Sequence, residues 1–157
     1  YSTLHANSAV AAIARLLNIG LRPDMLAGNI SGVLAQRLIR KLCLRCRQPA
    51  ALDGSTPPWL AAAVGQRDAP PIYGPVGCPA CGGTGYQGRL CVLEGVALDD
   101  DFDDLISSNA PQGAFRRLAQ EKGMQTMEQF ARRRVLDGTT SLAEIFRVFG
   151  RKGAEGE

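Results

Sequence analysis

Cys78-Pro79-Ala80-Cys81-Gly82-Gly83-Thr84-Gly85 sets two cysteines two residues apart and follows them with three glycines. Upstream, Cys43-Leu44-Arg45-Cys46 repeats the spacing, and residues 47–77 separate the pairs. A Cys-x-x-Cys turn aims two sulfurs at one point. Two such turns complete a tetrahedron, the geometry of a closed structural zinc site. The spacing therefore predicts one zinc ion on Cys43, Cys46, Cys78 and Cys81. Glycine at 82, 83 and 85 permits positive φ and lets backbone N–H groups approach thiolate sulfur. Lys41, Arg45 and Arg47 are expected to offset the charge of four thiolates. Two alternatives stand beside this: buried thiols without metal, and a redox dithiol, for which one pair would suffice. Thiolates of this kind must stay reduced, which favours a cytoplasmic compartment. Cys91, the fifth cysteine, lies in an apolar run and reads as a core residue.

Working outward, Leu38 and Ile39 sit among Arg37, Arg40 and Lys41, and residues 36–42 read as a strand. Residues 89–98 carry Leu90, Val92, Leu93 and Val96 and read as a second. Paired as a hairpin, the two strands would place both cysteine pairs at one end. Asn7 or Ser8 caps a helix to Asn18, whose Val10, Ile13, Leu16 and Leu17 follow helical spacing. A second helix is expected from Pro23, with Met25, Leu26, Ile30, Val33 and Leu34 as its apolar face. Between the cysteine pairs, residues 56–65 read as a short helix and 68–77 as loop.

Beyond Asp99 the pattern is helical. A short helix over 101–107 precedes three segments with capping-box spacing: Asn109 with Gln112, Thr126 with Gln129, and Ser141 with Glu144. They predict a C-terminal helical bundle over 99–150, with a disordered tail at 151–157. The fold class is α+β, mainly helical.

The chain is 45% hydrophobic and carries a net charge of +3, from 18 basic and 15 acidic groups. That excess is too small for a general nucleic-acid binder. No apolar run approaches the roughly 20 residues of a membrane span. Gly83-Thr84-Gly85-Tyr86-Gln87-Gly88 matches a dinucleotide fingerprint in letters only, because a cysteine pair precedes it and a strand-like run follows. Arg89-Leu90 stands where a phosphate loop needs Lys and Ser or Thr, and no other segment fits that loop. The chain by itself is therefore expected not to hydrolyse nucleotides. The acidic run at Asp99–Asp104 lacks the glycine and glutamate of a calcium loop and suits a helix start. Arg132–Arg134 reads as a solvated helix face. The opening Tyr1-Ser2-Thr3-Leu4-His5 reads as mid-domain sequence, so the chain is expected to be part of a longer one.

Ser2-Thr3-Leu4-His5-Ala6-Asn7 resembles the His box of the secretion ATPases that drive type II secretion and type IV pilus assembly, the GspE and PilB proteins. Gly32-Val33-Leu34-Ala35-Gln36-Arg37-Leu38-Ile39-Arg40-Lys41-Leu42-Cys43 resembles the entry to their tetracysteine motif, and Gly77–Arg89 its exit. Gly123-Met124 and Thr139-Thr140-Ser141-Leu142-Ala143-Glu144 are similar to their C-terminal helices. Ala6 departs from the usual Thr, and Cys91 stands where Gly is common.

The resemblance implies the trailing part of a RecA-like ATPase domain over 1–42, a zinc lobe over 43–88, a returning strand over 89–98, and the helical subdomain over 99–150. It implies that the phosphate loop and Walker B acid lie upstream in the parent, and that His5 stands near the nucleotide phosphates there. ATP and Mg would be cofactors of that parent only. The implied partners are the other subunits of a homohexameric ring and inner-membrane platform proteins, with no nucleic acid. The implied location is cytoplasmic, peripheral to the bacterial inner membrane. Two other readings remain. Cys78–Gly85 fits one C-x-x-C-x-G-x-G repeat of a DnaJ-type, zinc-dependent chaperone. A nucleic-acid-binding zinc ribbon would use Arg37, Arg40, Lys41, Arg45 and Arg47, with Tyr73 and Tyr86 for stacking.

Overall fold

The computed structural model describes residues 2–52, 56–64 and 71–155, with side chains as far as 150. Contacts divide the chain into two compact units. Tyr1–Gln36 with Leu93–Thr126 form the first, and Arg37–Val92 with Met127–Glu157 the second. The crossings fall inside two long strands, β1 (Gly32–Leu42) and β4 (Tyr86–Ala97), which pair with each other. Within the first unit Leu98 N–H donates to Ser31 C=O, and within the second Cys43 N–H donates to Gly85 C=O, next to both cysteine turns.

In the first unit, α1 (Ala9–Asn18) starts at Ser8, whose hydroxyl accepts from Ala11 N–H at 3.1 Å. Its apolar stripe of Ala9, Val10 and Ile13 is buried with Leu26, Val96, Phe102, Ile106, Phe115 and Ala119. These side chains come from α1, α2 (Pro23–Leu26), β4, α4 (Asp100–Ser107) and α5 (Gln112–Glu121). Burial alternates along the end of β4, with Val92, Glu94 and Val96 covered. Glu94 is tolerated on that apolar face because its carboxylate accepts from Ala9 N–H at 2.6 Å, satisfying a first-turn amide of α1.

The second unit holds the remaining elements. β2 (Gln48–Pro49) pairs antiparallel with β3 (Tyr73–Gly74), closing the segment between the cysteine pairs. α3 (Pro58–Val64) lies within that segment and buries Leu60. α6 (Met127–Leu136) packs on α7 (Leu142–Glu155).

Several expectations are corrected. The helix from Pro23 has only four residues, because Gly28 takes φ 71° and Gly32 already begins β1. The spacing of Leu26, Ile30 and Val33 looked helical, but Val33 and Ala35 are partly buried strand residues packed on the first core. β1 therefore begins four residues before 36, and β4 begins at Tyr86 rather than 89. Asn109 does not cap α5. It takes φ 50° just past the end of α4, and Pro111 precedes the first turn of α5 without a side-chain cap.

The helices expected as one bundle over 99–150 are divided, α4 and α5 in the first unit and α6 and α7 in the second. Their apolar faces are matched to different partners, α5 to α1 and α6 to α7. Gly150 breaks α7 at φ 78°, and helical backbone resumes to Glu155, where a disordered tail was expected. Residues 65, 68–70 and 156–157, which belong to the expected helix, loop and tail, lie outside the described residues.

Candidate metal centre

Two short turns deliver the four sulfurs. In Cys43–Cys46, the N–H groups of Cys46 and Arg47 both donate to Cys43 C=O, at 3.2 and 2.9 Å. In Cys78–Cys81, the N–H groups of Cys81 and Gly83 both donate to Cys78 C=O, at 3.1 and 2.9 Å. The second turn is a single 3-10 turn closed by Gly82 at φ 60°. The turns share the bond from the second cysteine's N–H to the first cysteine's C=O; the additional donor is the fourth residue on in the first turn and the fifth in the second. The Cys43 N–H bond to Gly85 C=O, at 2.9 Å, joins them.

All four sulfurs lie within 4.8 Å of one another. Cys43 and Cys78 are separated by 3.9 Å, Cys46 and Cys81 by 3.9 Å, and Cys78 and Cys81 by 3.8 Å. Zinc–thiolate bonds of about 2.3 Å arranged tetrahedrally give edges of roughly 3.8 Å. The cluster has that size. A disulfide needs roughly 2.05 Å between sulfurs, and all five cysteines are free. A zinc ion would be held by Cys43, Cys46, Cys78 and Cys81, and bound there it supplies a crosslink between the two turns.

The backbone around the sulfurs is arranged for negative charge. Cys81 Sγ accepts from the N–H groups of Cys78 and Gly85, each at 3.2 Å. Burial raises its pKa, but those two donors, together with the neighbouring Cys78 and Cys46 thiols, outweigh it and leave the thiol at about 6. Burial pushes the Cys46 thiol up to about 11, helped by the neighbouring sulfurs. Crowded thiols resist ionising together, and a divalent cation removes that resistance. Gly85 is constrained twice, since it takes φ 76° and a Cβ there would lie 2.5 Å from Pro75 Cβ.

Three of the basic residues have contacts away from the sulfurs. Arg47 donates to Gly138 C=O and lies 4.3 Å from the centre of the Tyr73 ring. Arg40 lies 4.1 Å over Tyr86 and pairs with Glu144, and Arg37 donates to Val148 C=O. Lys41 and Arg45 are exposed and line a pocket of about 600 Å³ with Leu44, Gln87 and Gly88. A nucleic-acid reading is weakened accordingly, because three of its five cations are engaged internally and both tyrosines carry an arginine on a face.

His5 is exposed, in irregular backbone ahead of α1 in the first unit, and is not part of the sulfur cluster. Cys91 is half-buried on β4 and is also outside it.

A family model described as "Type II/IV secretion system protein" matches residues 1–147. The chain belongs to that family. This secretion-family chain is 39% identical over 149 residues to the "Type IV pilus assembly ATPase TfpB" of Acinetobacter baylyi, covering 94% of this chain and 25% of that protein. It is 39% identical over 147 residues to the "Type II secretion system protein HxcR" of Pseudomonas aeruginosa, covering 94% and 27%. It is 33% identical over 144 residues to the "Type IV pilus assembly ATPase PilB" of Thermus thermophilus, covering 92% and 16%. The chain thus spans about a quarter of the length of TfpB or HxcR. Among the described residues, no helix is long and apolar enough to cross a membrane.

Sequence reasoning missed the place of Glu144 in the cysteine-bearing unit. Ser141 and Glu144 were read as a capping box, and half of one is present, Glu144 N–H donating to Ser141 Oγ at 3.2 Å. The carboxylate turns away, to Arg40 and Arg147. Ser-x-x-Glu reports only the local option. Arg147 is three residues away, but Arg40 lies over one hundred residues away in sequence.

Proposed function

We propose that this chain is the C-terminal portion of a cytoplasmic motor ATPase that powers type II secretion or type IV pilus assembly. Its own task is structural: it completes a RecA-like domain through residues 1–42 and carries one zinc ion on Cys43, Cys46, Cys78 and Cys81. The observation that carries this reading is the convergence of four sulfurs at tetrahedral spacing within a chain matched along residues 1–147. The relatives' names support the motor assignment, since TfpB and the Thermus PilB are each called a pilus assembly ATPase.

In the whole protein, His5 would face the nucleotide phosphates, with ATP and Mg held by a phosphate loop outside these residues. The ring would be a homohexamer working against inner-membrane platform proteins. Residues 1–157 contain no Gly-x-x-x-x-Gly-Lys-Ser or -Thr sequence. The chain alone therefore has no cradle for phosphates and turns over no ATP.

Metal analysis of reduced, purified chain tests the first part, with about one zinc per chain expected and loss of binding in Cys78→Ser. An ATP turnover assay on the same sample tests the second. Measurable ATP turnover by the isolated, repurified chain would overturn the division of labour proposed here.

A further inference from the structure

We propose that Glu144 is a positioning residue of the metal centre. It would hold the end of β1 that delivers Cys43, and so couple zinc affinity to the seating of residues 138–144. This rests on the zinc reading above.

Successive residues of a strand turn their amide groups to opposite edges. Cys43 N–H points to the β4 edge, where it bonds Gly85 C=O. Arg40 and Leu42 present theirs to the opposite edge, where no strand lies among the described residues. The segment before α7 and its first turn supply the missing partners. Arg40 N–H donates to Glu144 Oε1 at 2.8 Å, and Thr140 Oγ1 donates to Arg40 C=O at 2.8 Å. Leu42 N–H donates to Thr139 C=O at 2.8 Å. Beyond the first cysteine turn, Arg47 donates to Gly138 C=O. The residues flanking Cys43 and Cys46 are thus fastened to one short segment.

Glu144 is the centre of that fastening. Its side chain is fully buried, whereas the Arg40 and Arg147 side chains are 40% and 53% exposed. Besides Arg40 N–H, it accepts from Arg40 Nε at 2.8 Å and Nη2 at 2.6 Å, and from Arg147 Nε at 2.7 Å and Nη2 at 2.6 Å. The second cysteine turn is tied in as well. Tyr86 directly follows Gly85, carries the Arg40 guanidinium on its ring, and bonds Ser141 Oγ through its hydroxyl at 2.6 Å. Both strand ends that carry cysteine turns therefore close on residues 138–144.

A buried carboxylate with five donors has little freedom to adjust. Zinc binding and this closure favour the same placement of the strand ends, so each strengthens the other by one common factor. Loss of a group bonded directly to a metal ligand typically weakens metal affinity about 10–100-fold; Glu144 acts one step further out, through Arg40 and not on Cys43 itself, so the bottom of that range is the effect expected.

The test is zinc affinity measured by competition with a chromophoric chelator, for wild type, Glu144→Gln, Tyr86→Phe, and Ile106→Val as a control in the core of the first unit. Hydrogen exchange at 140–145 is followed with zinc and after chelation. The expected result is a dissociation constant raised about tenfold in Glu144→Gln and by a smaller factor in Tyr86→Phe. Ile106→Val leaves it unchanged, and exchange at 140–145 speeds up on zinc removal. Equal affinity in wild type and both clasp variants overturns the proposal, even if their melting temperatures fall, because a purely structural role lowers stability without touching the metal. If Glu144→Gln does not fold, Tyr86→Phe decides alone. Failure of wild type to take up zinc overturns the metal reading itself, an outcome distinct from equal affinities.

Discussion

Gly85→Ala should be far more damaging than the same change at Gly82 or Gly83, although all three glycines have similar positive φ, 76°, 60° and 78°. At Gly82 and Gly83 an added Cβ meets nothing within 4 Å. The cost there is the left-handed backbone alone, about 1–2 kcal/mol. At Gly85 the Cβ would lie 2.5 Å from Pro75 Cβ, 2.9 Å from Pro75 Cα and 3.0 Å from Val76 N. Two of those atoms are backbone, so something must shift, and overpacking of this kind adds about 1–3 kcal/mol. The total is roughly 2–5 kcal/mol for Gly85→Ala. The shift also has a chemical consequence, because Gly85 N–H donates to Cys81 Sγ and Gly85 C=O accepts from Cys43 N–H. Urea unfolding of zinc-loaded protein gives the stabilities, and chelator competition gives the metal affinities. Gly82→Asn should recover most of the loss of Gly82→Ala, since asparagine tolerates the left-handed region. Equal stability and equal zinc affinity for Gly85→Ala and Gly82→Ala would refute the reasoning.

Acid should remove the contribution of Glu144. Burial alone would raise its pKa, but Arg147 and Arg40 hold it at about 2, against an ordinary 4.5. A lowered folded-state pKa stabilises above the unfolded value and is lost as pH falls through the folded one. The stability difference between wild type and Glu144→Gln should therefore be flat above pH 5 and shrink from 4.5 toward 2, by about 3 kcal/mol at most. Phe102→Ala should cost about 3–5 kcal/mol in thermal or urea unfolding, because the ring is fully buried in the first core. Cys91→Ser should leave zinc stoichiometry unchanged by metal analysis, since Cys91 lies outside the four-sulfur group.

The four-cysteine cluster was legible because its signal is local and paired: each turn is set by four residues, and only the convergence of the turns is long-range. α1 was legible for the same reason, with Ser8, a helical stripe and the closing Gly20 inside thirteen residues. Residues 27–35 were misread because Leu26, Ile30 and Val33 satisfy a helical period, while the deciding fact is the backbone conformation at Gly28. Asn109 offered a carboxamide oxygen as a cap by spacing, yet the same short amide side chain suits a left-handed turn, and that option won. The division of the C-terminal helices between two units was invisible, because amphipathic stripes say that a face is covered and not by what. Glu144 was hidden most completely. Arg147 lies in its own helix, but the contact that ties it to the first cysteine turn comes from Arg40, on a strand that precedes both cysteine pairs, and no short window of sequence contains both Arg40 and Glu144.

The chain has a single tryptophan, and Trp59 belongs to the cysteine-bearing unit, where the Arg132 guanidinium lies 5.1 Å from its ring. Indole emission is thus a private channel to that half of the molecule. A denaturation curve followed at that wavelength would report the cysteine-bearing half and stay silent about the half around Phe102 and Phe115. Comparing it with far-ultraviolet ellipticity, which sums over every helix, would show whether the two halves melt in one event or in succession.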